Sequence, residues 1–205
     1  DEFLRPVLDG LREGGWLENT TVFLVSDHGE NLYEKAGTYG KSHVYHTSSE
    51  VPFVLHVPGE DRGSKRPELT SLVDVAATLL AAAGVSVPGE LSGRDLLSGP
   101  ARGPDEWIFL QGWDVANSDS ARAVLFGDGR KWIRDGSGQD ELYDLPSDPR
   151  ERRNLLPSSE VRGQGYGPRF ESIIETLEQN PSQPLDPTEL PESVARRLRA
   201  LGYVK

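Results

Sequence analysis

The chain has 205 residues, with 22 Lys and Arg against 33 Asp and Glu, a formal net charge of −11, 36% apolar residues, no Cys and no Met. That length supports a buried core and reads better as one α/β layer with a small appended subdomain than as two independent domains. The acidity, with no basic cluster interleaved by aromatics, sets nucleic acid aside as a partner; zero Cys excludes disulfides and thiolate metal sites; and no apolar run approaches the length of a membrane span.

In chain order, Phe3, Leu4, Val7, Leu8 and Leu11 fall on one face at helical spacing. Pro6 belongs in a first turn, so this helix begins near Arg5 or is kinked. The chain opens on Asp1 and holds no Met, which reads as a missing start; no signal peptide is visible, and truncation would have removed one. Val22-Phe23-Leu24-Val25 is a buried-strand run that ends in Ser26-Asp27-His28-Gly29-Glu30, and a second run covers Val51 to Gly59. Thr70 or Ser71 is placed to cap a helix with Leu72, Val73, Ala76, Leu79, Leu80 and Ala83 on its apolar face, stopped by Gly84 with Pro88 beyond. The alternation of runs and stripes predicts a βαβ-type arrangement to about Gly99. Gly99 to Asp105 is a linker. Trp107–Leu110, Ala121–Phe126, Lys131–Arg134 and Glu141–Leu145 then read as short antiparallel strands, with Gly127-Asp128-Gly129 as one turn. Pro157 to Pro168 reads as a surface loop, Arg169 to Gln179 as a helix, Pro181 to Pro187 as a linker and Pro191 to Ala200 as a last helix.

Chemistry concentrates at the end of the first apolar run. In an open α/β sheet ligands bind at the carboxyl ends of strands, so Asp27 and His28 are placed to hold a metal or a charged substrate. One brings a hard oxygen, the other a nitrogen of intermediate softness, and Gly29 lets the backbone turn sharply behind them. The competing reading is that Asp27 merely caps a following helix. Lys41 stands beside Gly40, where a flexible backbone brings an ammonium over an anion, although a lysine is ordinarily solvated surface. His43 and His46 lie among Ser42, Thr47, Ser48 and Ser49, the composition of an active-site loop rather than a ligand cage. His56, inside an apolar strand, reads as a satisfied core histidine. Trp113 and Asp114 follow a predicted strand and are open to a substrate-facing role.

The order of these blocks resembles a family. Strand, Ser26-Asp27-His28-Gly29-Glu30, Gly40-Lys41, Tyr45, Val51-Pro52, strand and Pro58-Gly59 are similar to the C-terminal half of the sulfatase family, within the alkaline phosphatase superfamily. Asp74 with Ala77-Thr78-Leu79-Leu80 and Ala83-Gly84-Val85 resembles that family's Asp-x-x-x-Thr-Leu-Leu helix, and Gly93 with Asp95-Leu96-Leu97 the segment after it. Glu141-Leu142-Tyr143-Asp144-Leu145, Asp148-Pro149, Glu151 and Asn154-Leu155 resemble its closing signature, and Leu198 to Tyr203 the tail of many bacterial members. Asn19-Thr20-Thr21 formally matches a glycosylation acceptor, but by the same resemblance it is a turn and cap before the strand.

The resemblance implies an alkaline-phosphatase-like α/β sheet flanked by helices, its catalytic domain completed by residues 1–99, followed over 100–205 by a subdomain of short antiparallel strands and closing helices. It implies a sulfuric ester hydrolase whose nucleophile is a formylglycine made within a Cys/Ser-x-Pro/Ala-x-Arg motif. No such motif occurs here, and the family's N-terminal acidic metal pair has no counterpart, so the chain reads as half of an active site whose partner is the N-terminal half of the same protein. Carried over by motif, Asp27 and His28 are metal ligands, Lys41 contacts a substrate oxygen, and His43 donates a proton to the leaving oxygen. One divalent ion is expected, calcium by family, with manganese or zinc admitted because His28 offers nitrogen. Two departures matter: many members carry Asp-Asn rather than Asp-His, and His46 replaces a Glu common after the Tyr. Phosphonate or phosphate ester hydrolysis is therefore kept as an alternative, and a non-catalytic binding module as another. The family points to a periplasmic or secreted location, with a cytoplasmic one compatible.

Overall fold

The computed structural model of the chain describes residues 2–35, 39–40, 43–60, 63, 65–89, 91–114, 119–157, 165–180, 192 and 196. It divides into two units, Asp1–Gln164 and Gly165–Lys205.

Helix α1, Leu4–Glu13, has Pro6 in its first turn, where the missing N–H deprives no helical bond. Its apolar stripe is uncovered: Leu4, Val7 and Leu8 are all exposed, as is Phe3 just before it, and no residue of α1 is buried. Strands β1, Val22–Val25, and β4, Phe53–His56, pair with Val22 opposite His56 and Val25 opposite Phe53. The Phe23 and Phe53 rings meet edge to face at 5.7 Å. The pairing is antiparallel, not the parallel crossover of a βαβ unit. An apolar run does not encode strand direction, and among the described residues the intervening segment holds β2 (Asn31–Leu32), β3 (Tyr39–Gly40) and the single-turn α2 (His46–Ser49), with no crossover helix.

Helix α3, Asp74–Ala82, starts later than Thr70 or Ser71 would have it, and no side chain caps it from Val73. The contact runs the other way: Ser71 N–H donates to Asp74 Oδ2 at 2.8 Å. At its end Gly84, at φ +69°, donates to Ala81 O, and Val85 N–H reaches Leu80 O, both at 2.9 Å, the paired bonds by which a left-handed glycine closes a helix. The four-residue spacing of Asp74 and Thr78 puts both on one buried face. There Asp74 Oδ1 accepts Arg94 N–H (3.0 Å) and Thr78 Oγ1 accepts Leu96 N–H (3.1 Å), so the motif works by anchoring the segment after the helix. Arg102 grips the same carboxylate with two bonds of 2.6 and 2.7 Å. Burial alone would raise the Asp74 carboxyl, but the Arg102 guanidinium and the two amides outweigh it and hold it below the usual carboxylate range.

The second half of the larger unit is an antiparallel meander: β5 (Trp107–Asp114), β6 (Asp119–Phe126), β7 (Arg130–Arg134) and β8 (Asp140–Asp144), in that order. These are the four strands expected, the first three lengthened as the ladder extends and the fourth shifted by one residue toward the N-terminus. Asn154 then seals the open side of β8: its Oδ1 accepts Leu142 N–H at 3.1 Å while Leu155 N–H donates to Leu142 O at 2.9 Å. One face of the sheet, through Ala121, Ala123, Ile133, Tyr143 and Leu145, forms a core with Val44, and Tyr45, Leu110 and Leu125 pack against it. The sheet thus receives the chain between β3 and α2, which carries the candidate site.

The smaller unit contains α4, Tyr166–Gln179, which buries Phe170, Ile173 and Ile174. It begins three residues earlier than Arg169. Gly165, at φ +75°, turns the chain in, and Pro168 lies in the first turn, where proline is tolerated. The expected linker at Pro181–Pro187 lies outside the described residues, as do the closing helix at Pro191–Ala200, except helical Glu192 and Arg196, and the tail motif.

Candidate functional site

Residues 28–35, directly after Asp27, hold no helix, so the capping alternative fails. The loop is ordered by its own polar groups instead. Ser26 Oγ donates to His28 O at 2.7 Å, and Asp27 Oδ1 accepts His28 N–H at 3.0 Å. His28 Nδ1 lies 2.8 Å from Gly29 O. A carbonyl only accepts, so Nδ1 carries the proton and, in the neutral ring, Nε2 keeps its lone pair. That Nε2 is 3.7 Å from Asp27 Oδ1. Two ligand atoms each about 2.1–2.5 Å from one cation, at an angle of roughly 90–110°, stand about 3–4 Å apart, so the 3.7 Å spacing of this pair is compatible with two adjacent corners of a coordination sphere. Both are open to solvent, Asp27 at 69% and His28 at 35% side-chain exposure. Among the described residues no third His, Cys, Asp or Glu joins them, so the remaining ligands would have to come from elsewhere.

Gly29 is needed for a reason other than the turn expected of it. Its φ is not positive; a Cβ there would enter the Thr47 carbonyl oxygen and lie 3.1 Å from Glu50 O and 3.2 Å from Ser48 Cα. Gly29 N–H donates to Ser48 O at 2.9 Å, which locks the Asp-His turn onto α2.

Asp27 and His28 open into a groove of about 780 Å³ whose wall includes His43, His46, Ser48 and Glu50. Asp27, His28 and His43 thus line the same groove. Lys41 lies outside the described residues, although Gly40 beside it accepts Ser48 Oγ at 3.3 Å. His46 also lines the groove, with Nε2 2.9 Å from Glu50 Oε2; burial lowers its pKa, opposed by Glu50. His56 is satisfied, its Nε2 donating to Leu17 O at 2.8 Å, as read from the sequence.

A polar cluster that sequence reasoning missed meets the groove-lining segment at His46 and Ser49. Lys35 Nζ donates to Tyr143 Oη (2.6 Å) and Glu151 O (2.8 Å) and sits 4.4 Å from the centroids of both the Tyr45 and Tyr143 rings. Tyr45 Oη donates to Glu141 Oε2 at 2.9 Å. Burial first, and the Glu141 carboxylate second, push both phenols well above their ordinary range, so they stay protonated donors. Lys131 and Glu151 form an ion pair at 2.9 Å with essentially no exposure, and burial pulls the lysine down while Glu151 holds it up. A signal existed for Lys131: the two-residue strand period puts it on the same side as Ile133, which is buried.

A family model described as Sulfatase matches residues 1–85. Arylsulfatase K of Bos taurus is 33% identical over 187 residues, covering 85% of this chain and 34% of that protein. A solved structure in complex with its substrate D-glucosamine-2-N,6-O-disulfate superposes with TM-score 0.66 at 24% identity, covering 87% of this chain and 38% of that one. The phosphonate monoester hydrolase of Agrobacterium radiobacter gives TM-score 0.67 at 22% identity, covering 84% and 38%. At these identities the structural likenesses speak for the fold, and they bear out the expected alkaline-phosphatase-like α/β class with its small antiparallel sheet. The chain spans about a third of the length of the curated relatives it matches.

Proposed function

The chain matches the sulfatase family, and from that premise we propose that it is the C-terminal part of a sulfuric ester hydrolase whose groove bears one side of the active site. The observation that supports this reading is that Asp27, His28 and His43 line one groove, with the Asp27 carboxylate and the lone-pair nitrogen of His28 3.7 Å apart, a spacing compatible with two ligands of a single cation. Asp27 and His28 would hold one divalent ion, calcium by family precedent, with manganese or zinc suited by the nitrogen. When bound, such an ion polarises the ester oxygens as a Lewis acid. The ammonium of Lys41 neutralises charge on the transferred group, and His43 supplies a proton to the leaving oxygen.

Residues 1–99 belong, on this reading, to the α/β catalytic domain and 100–205 to the appended subdomain. The N-terminal half of the same protein would bring a formylglycine nucleophile and the other ligands. The uncovered stripe of α1, the exposed Val54 and the lack of a third strand beside β1 and β4 among the described residues suit a larger sheet. A sulfated carbohydrate, such as the ligand of the structural neighbour, is the substrate class favoured.

The test is turnover of an aryl sulfate by the complete protein and by Lys41→Ala. Loss of turnover in a folded variant supports the reading; wild-type turnover removes Lys41 from the site. A second reading, phosphonate or phosphate ester hydrolysis on the same residues, draws on the nitrogen ligand His28. Metal content and the ratio of kcat/KM for aryl sulfate and aryl phosphonate separate the two. A complete protein that turns over neither ester would leave the binding-module reading.

A further inference from the structure

We propose that Glu151 is a positioning residue of the groove: its carboxylate sets the placement of the segment from His43 to Ser49, and with it the imidazoles of His43 and His46. The inference rests on reading the groove as an ester-hydrolysing site.

Glu151 lies beyond β8, more than 100 positions from His46, yet it meets that segment directly. Its Oε2 accepts the N–H of His46, the first residue of α2, at 2.7 Å. That helix has no side-chain cap of its own, so a buried acceptor from a distant segment takes the place a local cap would fill. Its Oε1 is 2.9 Å from Lys131 Nζ, which in turn reaches Ser49 Oγ at 3.4 Å, at the other end of the same turn. Its main-chain oxygen accepts Lys35 Nζ at 2.8 Å. One residue therefore grips the chain at Lys35, before Lys41 and His43, and again at His46, after them.

The backbone of Glu151 is bent to this purpose, at φ +51°, a left-handed conformation uncommon for a residue with a side chain. A purely stabilising role explains the arrangement poorly. A buried ion pair is commonly no more stable than two apolar side chains of similar volume. What apolar side chains cannot do is accept the His46 N–H. A carboxylate that splits its two oxygens between a buried ammonium and a helix-start amide fixes register and orientation, which two imidazoles in a shared groove require.

Two double variants of the complete protein separate placement from stability. Lys131→Met with Glu151→Gln removes the buried charges but keeps an amide oxygen for His46 N–H; Lys131→Met with Glu151→Leu removes both. Urea unfolding should show the two comparably stable. The Gln pair should keep kcat within a few-fold of wild type, whereas the Leu pair should lose between about 10- and 100-fold in kcat, with the ring resonances of His43 and His46 displaced in its NMR spectrum. A stable Leu pair with wild-type kcat and undisplaced imidazole resonances overturns the proposal. If the wild-type protein hydrolyses no sulfate or phosphonate ester, the functional reading falls instead. The imidazole resonances then decide by themselves: displaced in the Leu pair and held in the Gln pair supports placement by Glu151, unchanged in both refutes it.

Discussion

Replacing Gly29 by Ala tests whether the Asp-His turn depends on close approach to α2. The added methyl meets backbone on every side, Thr47 O, Glu50 O and Ser48 Cα, so no side chain can swing away to admit it. An ordinary contact needs at least 3.4 Å, and one backbone has to retreat by about 1 Å to restore it. That retreat stretches the 2.9 Å bond from Gly29 N–H to Ser48 O beyond hydrogen-bonding range. An overpacking cost of about 1–3 kcal/mol plus one lost hydrogen bond of about 0.5–1.5 kcal/mol gives roughly 2–4 kcal/mol of destabilisation. The displacement passes directly to His28, whose Nδ1 donates to the carbonyl of Gly29 itself. Urea unfolding of the complete protein should therefore show the loss of stability, and metal analysis a reduced content in the fraction that remains folded. An unfolding midpoint and metal content both equal to wild type would refute the argument, because they would mean that Thr47 and Gly29 separate freely.

Three further outcomes are expected. Asp74→Asn, which leaves Arg102 as an uncompensated buried charge, should cost about 3–5 kcal/mol, read by urea unfolding. Because the folded Asp74 carboxyl titrates below its unfolded value of about 3.9, its contribution is complete above that pH and is lost as the pH falls through the folded value; Asp74→Asn should flatten the acid limb of the stability curve. A chelator should lower the melting temperature of the complete protein, since a metal at 100 times its Kd contributes about 2.7 kcal/mol, and in Asp27→Ala or His28→Ala the chelator should make little difference. Chelator sensitivity undiminished in those variants would place the ion elsewhere.

Much of the fold could be read because its determinants are local. Gly84 ends α3 through bonds that span one turn, and the Gly127-Asp128-Gly129 turn joins β6 to β7 where an adjacent pair of runs predicts a hairpin. Asp27 and His28 were visible as adjacent unlike donors at a strand end. The role of Gly29 was not, because what crowds it is a carbonyl eighteen residues ahead. Strand direction was also illegible: the same apolar residues suit parallel or antiparallel neighbours.

The amino-acid order by itself determined the strand and helix segments, the helix stop, the family resemblance and the candidate donors, all carried by side-chain type at short spacing. Only the tertiary structure decided that β1 and β4 run antiparallel, that Asp74 and Thr78 serve the segment after their helix, and that Lys131 and Glu151 meet in the interior beside His46. The reason is that strand period can place Lys131 on the inward face beside Ile133 but cannot name the partner that neutralises it there, which depends on the segment packed over it. Burial and pairing are properties of two chain segments at once, and no local pattern holds both.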